Sequence, residues 1–289
     1  GGFLRSGNTT LLLGVDDQKF DAAMGVIEKV CKSRKQIATA PSPISGTTGV
    51  YVPYPIEVMV GGVTGQHFYG NIDGCYNNGA VTMLADNNPH HHHVGGVFGQ
   101  VNCYATSCKN IVNKGNIHLT STFGPKRCRM GGVAGVLYRT DLHDATNEGN
   151  ITYDALEKSN QMFIAGGVGY AYTGSGDDID LIRVKNKGKI TINKGTAALG
   201  STIRIAGIVG YYNADLENCE ISECVNIGDI EVNFEKAYTS VAVCGIAGML
   251  ESGMEIKNCE QYSNLKAMGY TGKVKAIIGD PRQEYSETT

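Results

Sequence analysis

None of the 289 residues is tryptophan, and Asp, Glu, Lys and Arg together make only 18%. Sparse charge beside 42% apolar residues excludes a disordered chain, which lacks the apolar surface to offset its conformational entropy. No run of about 18 apolar residues occurs, so no membrane-spanning segment is expected. Positive charge is not in excess either: the formal net charge is −3, and the footprint of a nucleic-acid partner is missing. Gly-x-Ser-x-Gly, His-Glu-x-x-His and phosphate-loop patterns are absent, and no cofactor is implied. The chain opens Gly1-Gly2-Phe3-Leu4-Arg5, without methionine or a signal-peptide pattern, which reads as an excised fragment or mature form.

Glycine is abundant, with 39 copies, about twice the usual share. The glycines follow no collagen period but recur at longer range. Gly61-Gly62-Val63-Thr64-Gly65, Gly95-Gly96-Val97-Phe98-Gly99 and Gly131-Gly132-Val133-Ala134-Gly135 are near copies. Looser copies end at Gly169, Gly210 and Gly248, so that successive last glycines lie 34, 36, 34, 41 and 38 residues apart. After each copy comes Asn-x-Gly, at Asn77 and Gly79, Asn113 and Gly115, Asn147 and Gly149, Asn186 and Gly188, and Asn226 and Gly228. A sixth motif aligns as Asn264-Leu265-Lys266, without its glycine.

The columns around these motifs carry the structural signal. Two residues after the Gly position stand Val81, Ile117, Ile151, Ile190, Ile230 and Met268; four after it stand Met83, Leu119, Tyr153, Ile192, Val232 and Tyr270. Alternation with period two and β-branched side chains indicate strands. Asn-x-Gly is expected to turn the chain through positive φ. No single repeat of roughly 36 residues can bury its apolar face; stacking them builds one continuous core. Like columns then lie about 4.8 Å apart, and the aligned asparagines form an amide ladder. The fold class expected is all-β, a parallel β-helix or β-solenoid of about six repeats with a short N-terminal helical cap.

The sequence Gly-Gly-Ile/Val-x-Gly followed by Asn-x-Gly-x-Ile, as in Ile205-Ala206-Gly207-Ile208-Val209-Gly210 and Cys224-Val225-Asn226-Ile227-Gly228-Asp229-Ile230, resembles the GLUG-motif repeat proteins. The resemblance covers about residues 57–270. It implies a β-solenoid, right-handed, of the kind found in exported surface proteins and adhesins of gut Bacteroidetes. It brings no catalytic residue.

Two regions follow: 1–56, without the repeat, and 57–289, the repeat domain. Thr9 to Leu13 reads as a strand. Asp16 to Ser33 reads as an amphipathic helix, with Phe20, Met24, Ile27 and Cys31 on one face, acids at its start and bases at its end. Such a helix suits a cap, because an open solenoid end exposes apolar side chains and strand edges.

Candidate functional groups are few. Tyr138, Tyr170, Tyr172, Tyr211 and Tyr212 sit in or just after the glycine-motif strands and could form an aromatic strip for sugars or protein partners; alternatively they cap strand ends. His90 to His93 form a tract of four in which alternate members, His90 and His92, could share a metal ion. Four of the nine cysteines, Cys75, Cys108, Cys224 and Cys259, fall in apolar columns and read as small core residues. Asp177, Asp178 and Asp180 read as a solvated loop, and Asp141, His143 and Asp144 as a local cluster with no counterpart in neighbouring repeats. The expected function is a non-enzymatic, adhesin-like, monomeric protein at the cell surface or outside the cell, lipid-anchored through a segment outside this sequence, binding a glycan or a surface protein. The alternatives are a polysaccharide-processing β-helix enzyme and a structural spacer.

Overall fold

The computed structural model describes residues 2–6, 9–13, 57–85, 91–121, 127–155, 161–173, 178–194, 202–213, 219–233, 241–251, 255–268, 273–275, 277–281 and 287–288. The chain divides into two compact units, Gly1–Ile56 and Glu57–Thr289. In the first, strands Gly2–Ser6 and Thr9–Leu13 pair antiparallel. The helix expected from Asp16 to Ser33 lies outside the described residues.

The second unit is a β-solenoid, and its described residues contain no helix. Residues 127–155 show one coil in full. An entry strand, Arg127–Gly131, meets a Gly-Gly corner; a long strand, Ala134–Asn147, leads to Asn-x-Gly; an exit strand, Ile151–Ala155, completes the coil. Entry strands stack in a seven-stranded parallel sheet and exit strands in a six-stranded one. Six exit strands separated by five steps make about five turns. Each coil is hydrogen-bonded by parallel ladders to the coils on either side.

Alternation decides what faces inward. Val81, Ile117, Ile151, Ile190 and Ile230 pair in sequence from coil to coil and all are buried. Each such side chain contributes about 1.5–3 kcal/mol of burial. The interior is divided in two. One apolar cluster, with Met130, Ile151, Ile164 and Ile190, fills the space between entry and exit sheets. Another, with Val101, Ile111, Leu142, Val184 and Cys224, lies within the bend of the long strands.

The two sequence motifs meet at the waist between these clusters. A methyl group added at Gly96, Gly132, Gly166 or Gly207 would overlap the side chain of Asn113, Asn147, Asn186 or Asn226, respectively. The Gly-Gly corner therefore leaves the room that the asparagines occupy. Each asparagine amide donates to the next: Asn77 to Asn113 at 2.8 Å, Asn113 to Asn147 at 2.8 Å, Asn147 to Asn186 at 2.9 Å and Asn186 to Asn226 at 2.8 Å. The same Nδ2 groups also donate to the carbonyls of Gly79, Gly115, Gly149 and Gly188. The ladder satisfies amides that would otherwise be buried at a cost of about 1–3 kcal/mol each.

Two expectations are corrected here. The glycines of Asn-x-Gly do not have positive φ. That conformation occurs three residues before each of the five asparagines, at Gly74 (74°), Asn110 (56°), Asp144 (52°), Arg183 (54°) and Glu223 (53°), and three before Gln261, at Asn258 (51°). Gly115 is needed for proximity instead, since a methyl there would strike the Gly79 carbonyl. The sixth repeat is also registered differently. Asn226 pairs with Gln261, Ile230 with Leu265 and Val232 with Ala267. Gln261-Tyr262-Ser263, not Asn264-Leu265-Lys266, thus stands in place of Asn-x-Gly. Asn226 Nδ2 donates to Gln261 Oε1 at 2.8 Å and Ser263 Oγ at 2.9 Å, and Gln261 Nε2 donates to the Ser263 carbonyl at 2.9 Å.

Candidate ligand-binding notch

The waist has a consequence outside the molecule. Pinching the coil at the Gly-Gly corner turns the outer faces of the entry strand and the following long strand toward each other. Outward side chains from these two faces touch across the corner, which they could not do if it were convex. Phe163 of an entry strand packs on Tyr170 (centroids 5.6 Å apart) and edge-on to Tyr211 (4.9 Å). Tyr170 and Tyr172 stack at 4.8 Å, Tyr138 and Tyr172 at 4.4 Å, and Tyr170 and Tyr211 lie 5.2 Å apart. Parallel pairing produces this column: Tyr138 is in register with Tyr172, and Tyr170 with Tyr211.

Four of the five tyrosines singled out in the sequence therefore come together. Tyr170 is 9% exposed, while Tyr138, Tyr172 and Tyr211 are half-buried at the rim. Burial pushes the hydroxyls of Tyr170 and Tyr172 above the ordinary tyrosine value. Tyr211 donates to Glu251. Tyr212 does not belong to the strip. It is the next residue along the strand, so it points inward, where it is fully buried and donates to the Ile179 carbonyl.

The histidine tract is likewise sorted by alternation. His90 lies outside the described residues. His92 is fully buried in the column of Val58 and Cys128, an inward position that removes it from any external metal. No cluster of three or more His, Cys, Asp or Glu arranged to hold a metal occurs among the described residues. His93 turns outward into the notch. Its Nδ1 lies 3.0 Å from Gln100 Oε1 and its Nε2 lies 3.2 Å from Arg129 Nη1. Arginine can only donate, so Nε2 accepts, and the ring proton sits on Nδ1 and is donated to Gln100. Burial first, and the Arg129 charge second, hold His93 well below the usual imidazole value.

Arg129 belongs to neither repeated motif, yet the structure makes it central. It is 7% exposed and its guanidinium lies 4.2 Å from the Tyr170 ring centre, a cation–π geometry. Its signal in the sequence is alternation: Arg129 is one residue from Met130, which faces the core, and so must face out. Arg204 occupies the same column two coils on, 8% exposed and donating to the Ile203 carbonyl at 2.9 Å.

A second set of polar groups lies elsewhere on the long strands. Asp141, Asp180 and Glu220 occupy successive coils, so carboxylates do align, contrary to the expectation of an isolated cluster. Asp141 Oδ1 accepts from the Asp180 backbone at 3.0 Å, and Asp180 Oδ1 from the Glu220 backbone at 3.0 Å. Burial raises both aspartates. Their oxygens close the backbone of the next coil, which is a structural duty. Asp144 is bound to Arg183 at 2.6 Å, and Asp178 is exposed. Asp177 lies outside the described residues. Cys108 and Cys224 are buried in the core, with Cys75 and Cys259 packed against it.

Comparison with known proteins gives one partial likeness. A family model for a cyclic-di-AMP receptor matches residues 1–68, about a quarter of the chain, ending in the first coil of the solenoid. No solved structure matches the chain.

Proposed function

We propose that the solenoid is a non-enzymatic, adhesin-like recognition module whose notch binds a glycan or a protein ligand. The observation that carries this reading is the contiguous ring cluster of Tyr138, Tyr170, Tyr172, Tyr211 and Phe163, half-buried at its rim. Aromatic faces pack on the apolar faces of sugars and on protein side chains, and supply large contact area at low entropic cost. Of the aligned carboxylates of the competing enzyme reading, Asp141 and Asp180 accept backbone amides and Glu220 is held by Ser222 and Lys257. Surface display, through an anchor outside this sequence, is supported by the resemblance to GLUG-motif repeats; a right-handed stack of six repeats with a helical N-terminal cap fits that resemblance and the handedness of parallel crossovers. A neutral and acidic glycan array, with product masses read from bound spots, tests the reading. Binding without mass change, lost in Tyr172→Ala, supports it. Shortened products would replace it with the enzyme, and silence toward every glycan would leave a protein ligand or a spacer.

A second reading concerns the first unit alone. The cyclic-di-AMP receptor match over residues 1–68 supports recognition of that nucleotide there. Calorimetric titration of the full chain with cyclic-di-AMP tests it: saturable binding that survives Tyr172→Ala supports a separate nucleotide site, and no heat at high protein concentration removes it.

A further inference from the structure

We infer that the notch selects an acidic saccharide, one bearing sulfate or carboxylate groups, with Arg129 and Arg127 as the anion-recognising residues. This deepens, and rests on, the glycan arm of the recognition reading above. A guanidinium removed from water is costly unless a negative charge compensates it. Arg129 is 7% exposed, yet no carboxylate lies within ion-pair distance of it among the described residues. Its neighbours are a neutral imidazole, His93, and the Tyr170 ring. Its Nε is buried without an acceptor among the described residues. Among the described residues the groups that touch the guanidinium are neutral, and Glu57 acts on it without an ion pair; the charge is left for a ligand to meet.

The surroundings extend this charge. Arg127 stands two residues earlier on the same outward face and is exposed. Arg204 follows two coils away, about 10 Å along the stack by strand spacing. Acidic groups near the notch stand toward its ends, at Glu57 and at Glu251, and Glu251 is held by Tyr211. A ligand carrying repeated negative charges can span from one arginine column position to the next while its rings lie on Tyr138 and Tyr172. An acidic oligosaccharide has both properties. A single-stranded oligonucleotide shares the pattern of charge and ring, but the chain's net charge of −3 opposes a long polyanion with a phosphate at every unit.

The test is calorimetric titration of the full chain with four probes: a heparin-derived hexasaccharide, an oligogalacturonate of the same length, maltohexaose, and an oligothymidylate. One or both acidic sugars should bind, at least about tenfold tighter than maltohexaose, and added salt should weaken them. Arg129→Gln should weaken them about tenfold, as for loss of a charged hydrogen bond, and Arg127→Gln several-fold. Lys187→Gln, on an exposed ion pair elsewhere, should leave them unchanged. Arg127 is exposed, so its variant carries the test if Arg129→Gln fails to fold. Sulfate preference and carboxylate preference each support the inference and separate the two ligand sources. Equal affinity for maltohexaose would overturn the acidic class while leaving a glycan-binding notch. Tightest binding of oligothymidylate would overturn the saccharide. Acidic binding that survives both arginine variants would place it elsewhere and overturn the site. Failure of both acidic sugars would overturn the inference, while the glycan reading itself stands or falls on the array.

Discussion

The waist and the notch lie on opposite sides of one Gly-Gly corner, and they are built on opposite rules. At the waist the coils from Asn77 to Asn186 repeat the same chemistry, an asparagine amide donating to a glycine carbonyl and to the neighbouring asparagine. In the notch the side chains change along the stack. One outward column runs Met59, His93, Arg129, Phe163 and Arg204. Repetition is what stacking requires, because a shared register lets one rung satisfy the next. Variation along a face that stacking does not constrain leaves room for recognition. The difference between these two regions is therefore one between a device that holds the coils together and a surface that can be specialised.

Damage to the waist should cost most. Gly132→Ala would drive a methyl into the Gly166 carbonyl and Asn147, and is expected to destabilise by about 3 kcal/mol or more, as overpacking against backbone does. Asn147→Ala removes a rung with neighbours on both sides and should cost about 2–3 kcal/mol. Asn77→Ala, at the first rung, removes a link to Asn113 alone and should cost about 1 kcal/mol less. Urea unfolding of the three variants measures this gradient; equal losses at Asn77 and Asn147 would mean that the ladder is not acting cooperatively along the stack.

The notch should respond to acid. His93 titrates lower in the folded chain than in the unfolded one. On acidification the unfolded state takes up the proton first, near pH 6.5. The stability contributed by the neutral imidazole is thus complete above that pH and lost as pH falls below it, at up to about 1.4 kcal/mol per pH unit. Thermal unfolding at about pH 7.5 and pH 5.5 reads the loss, and His93→Gln should flatten it. An unchanged pH slope in that variant would assign the acid sensitivity to other groups. Smallest in stability is Tyr172→Ala, about 1 kcal/mol for the lost ring stacking, although ligand binding should fall about tenfold. A variant that unfolds before it loses binding would erase the distinction between the two regions.

Much of the waist is visible in the sequence because it repeats. The columns Val60, Val94, Met130, Ile164 and Ile205 are in register as their spacing implies. The reading failed where the repeat decayed. Gln261 and Ser263 reproduce the hydrogen bonds of Asn and Gly with different side chains, so matching by residue identity chose Asn264 and shifted the last coil by three. It failed again on φ, because Asn110, Asp144, Arg183, Glu223 and Asn258 share a left-handed conformation but span four residue types. At the notch, strand alternation could separate Tyr211 from Tyr212 and His93 from His92, yet alternation alone does not say which side of a strand is concave.

Spacing and alternation by themselves determined that this chain stacks parallel strands around aligned asparagines, since a period shared by polar and apolar columns has no other compact solution. Only the tertiary structure decided that the glycine corner makes room for the asparagine of the same coil. That contact pinches the coil, and the pinch brings Arg129, from one strand, onto Tyr170, from the coil above. Those residues are 41 positions apart in the chain, and no local pattern joins them; the height of one coil does.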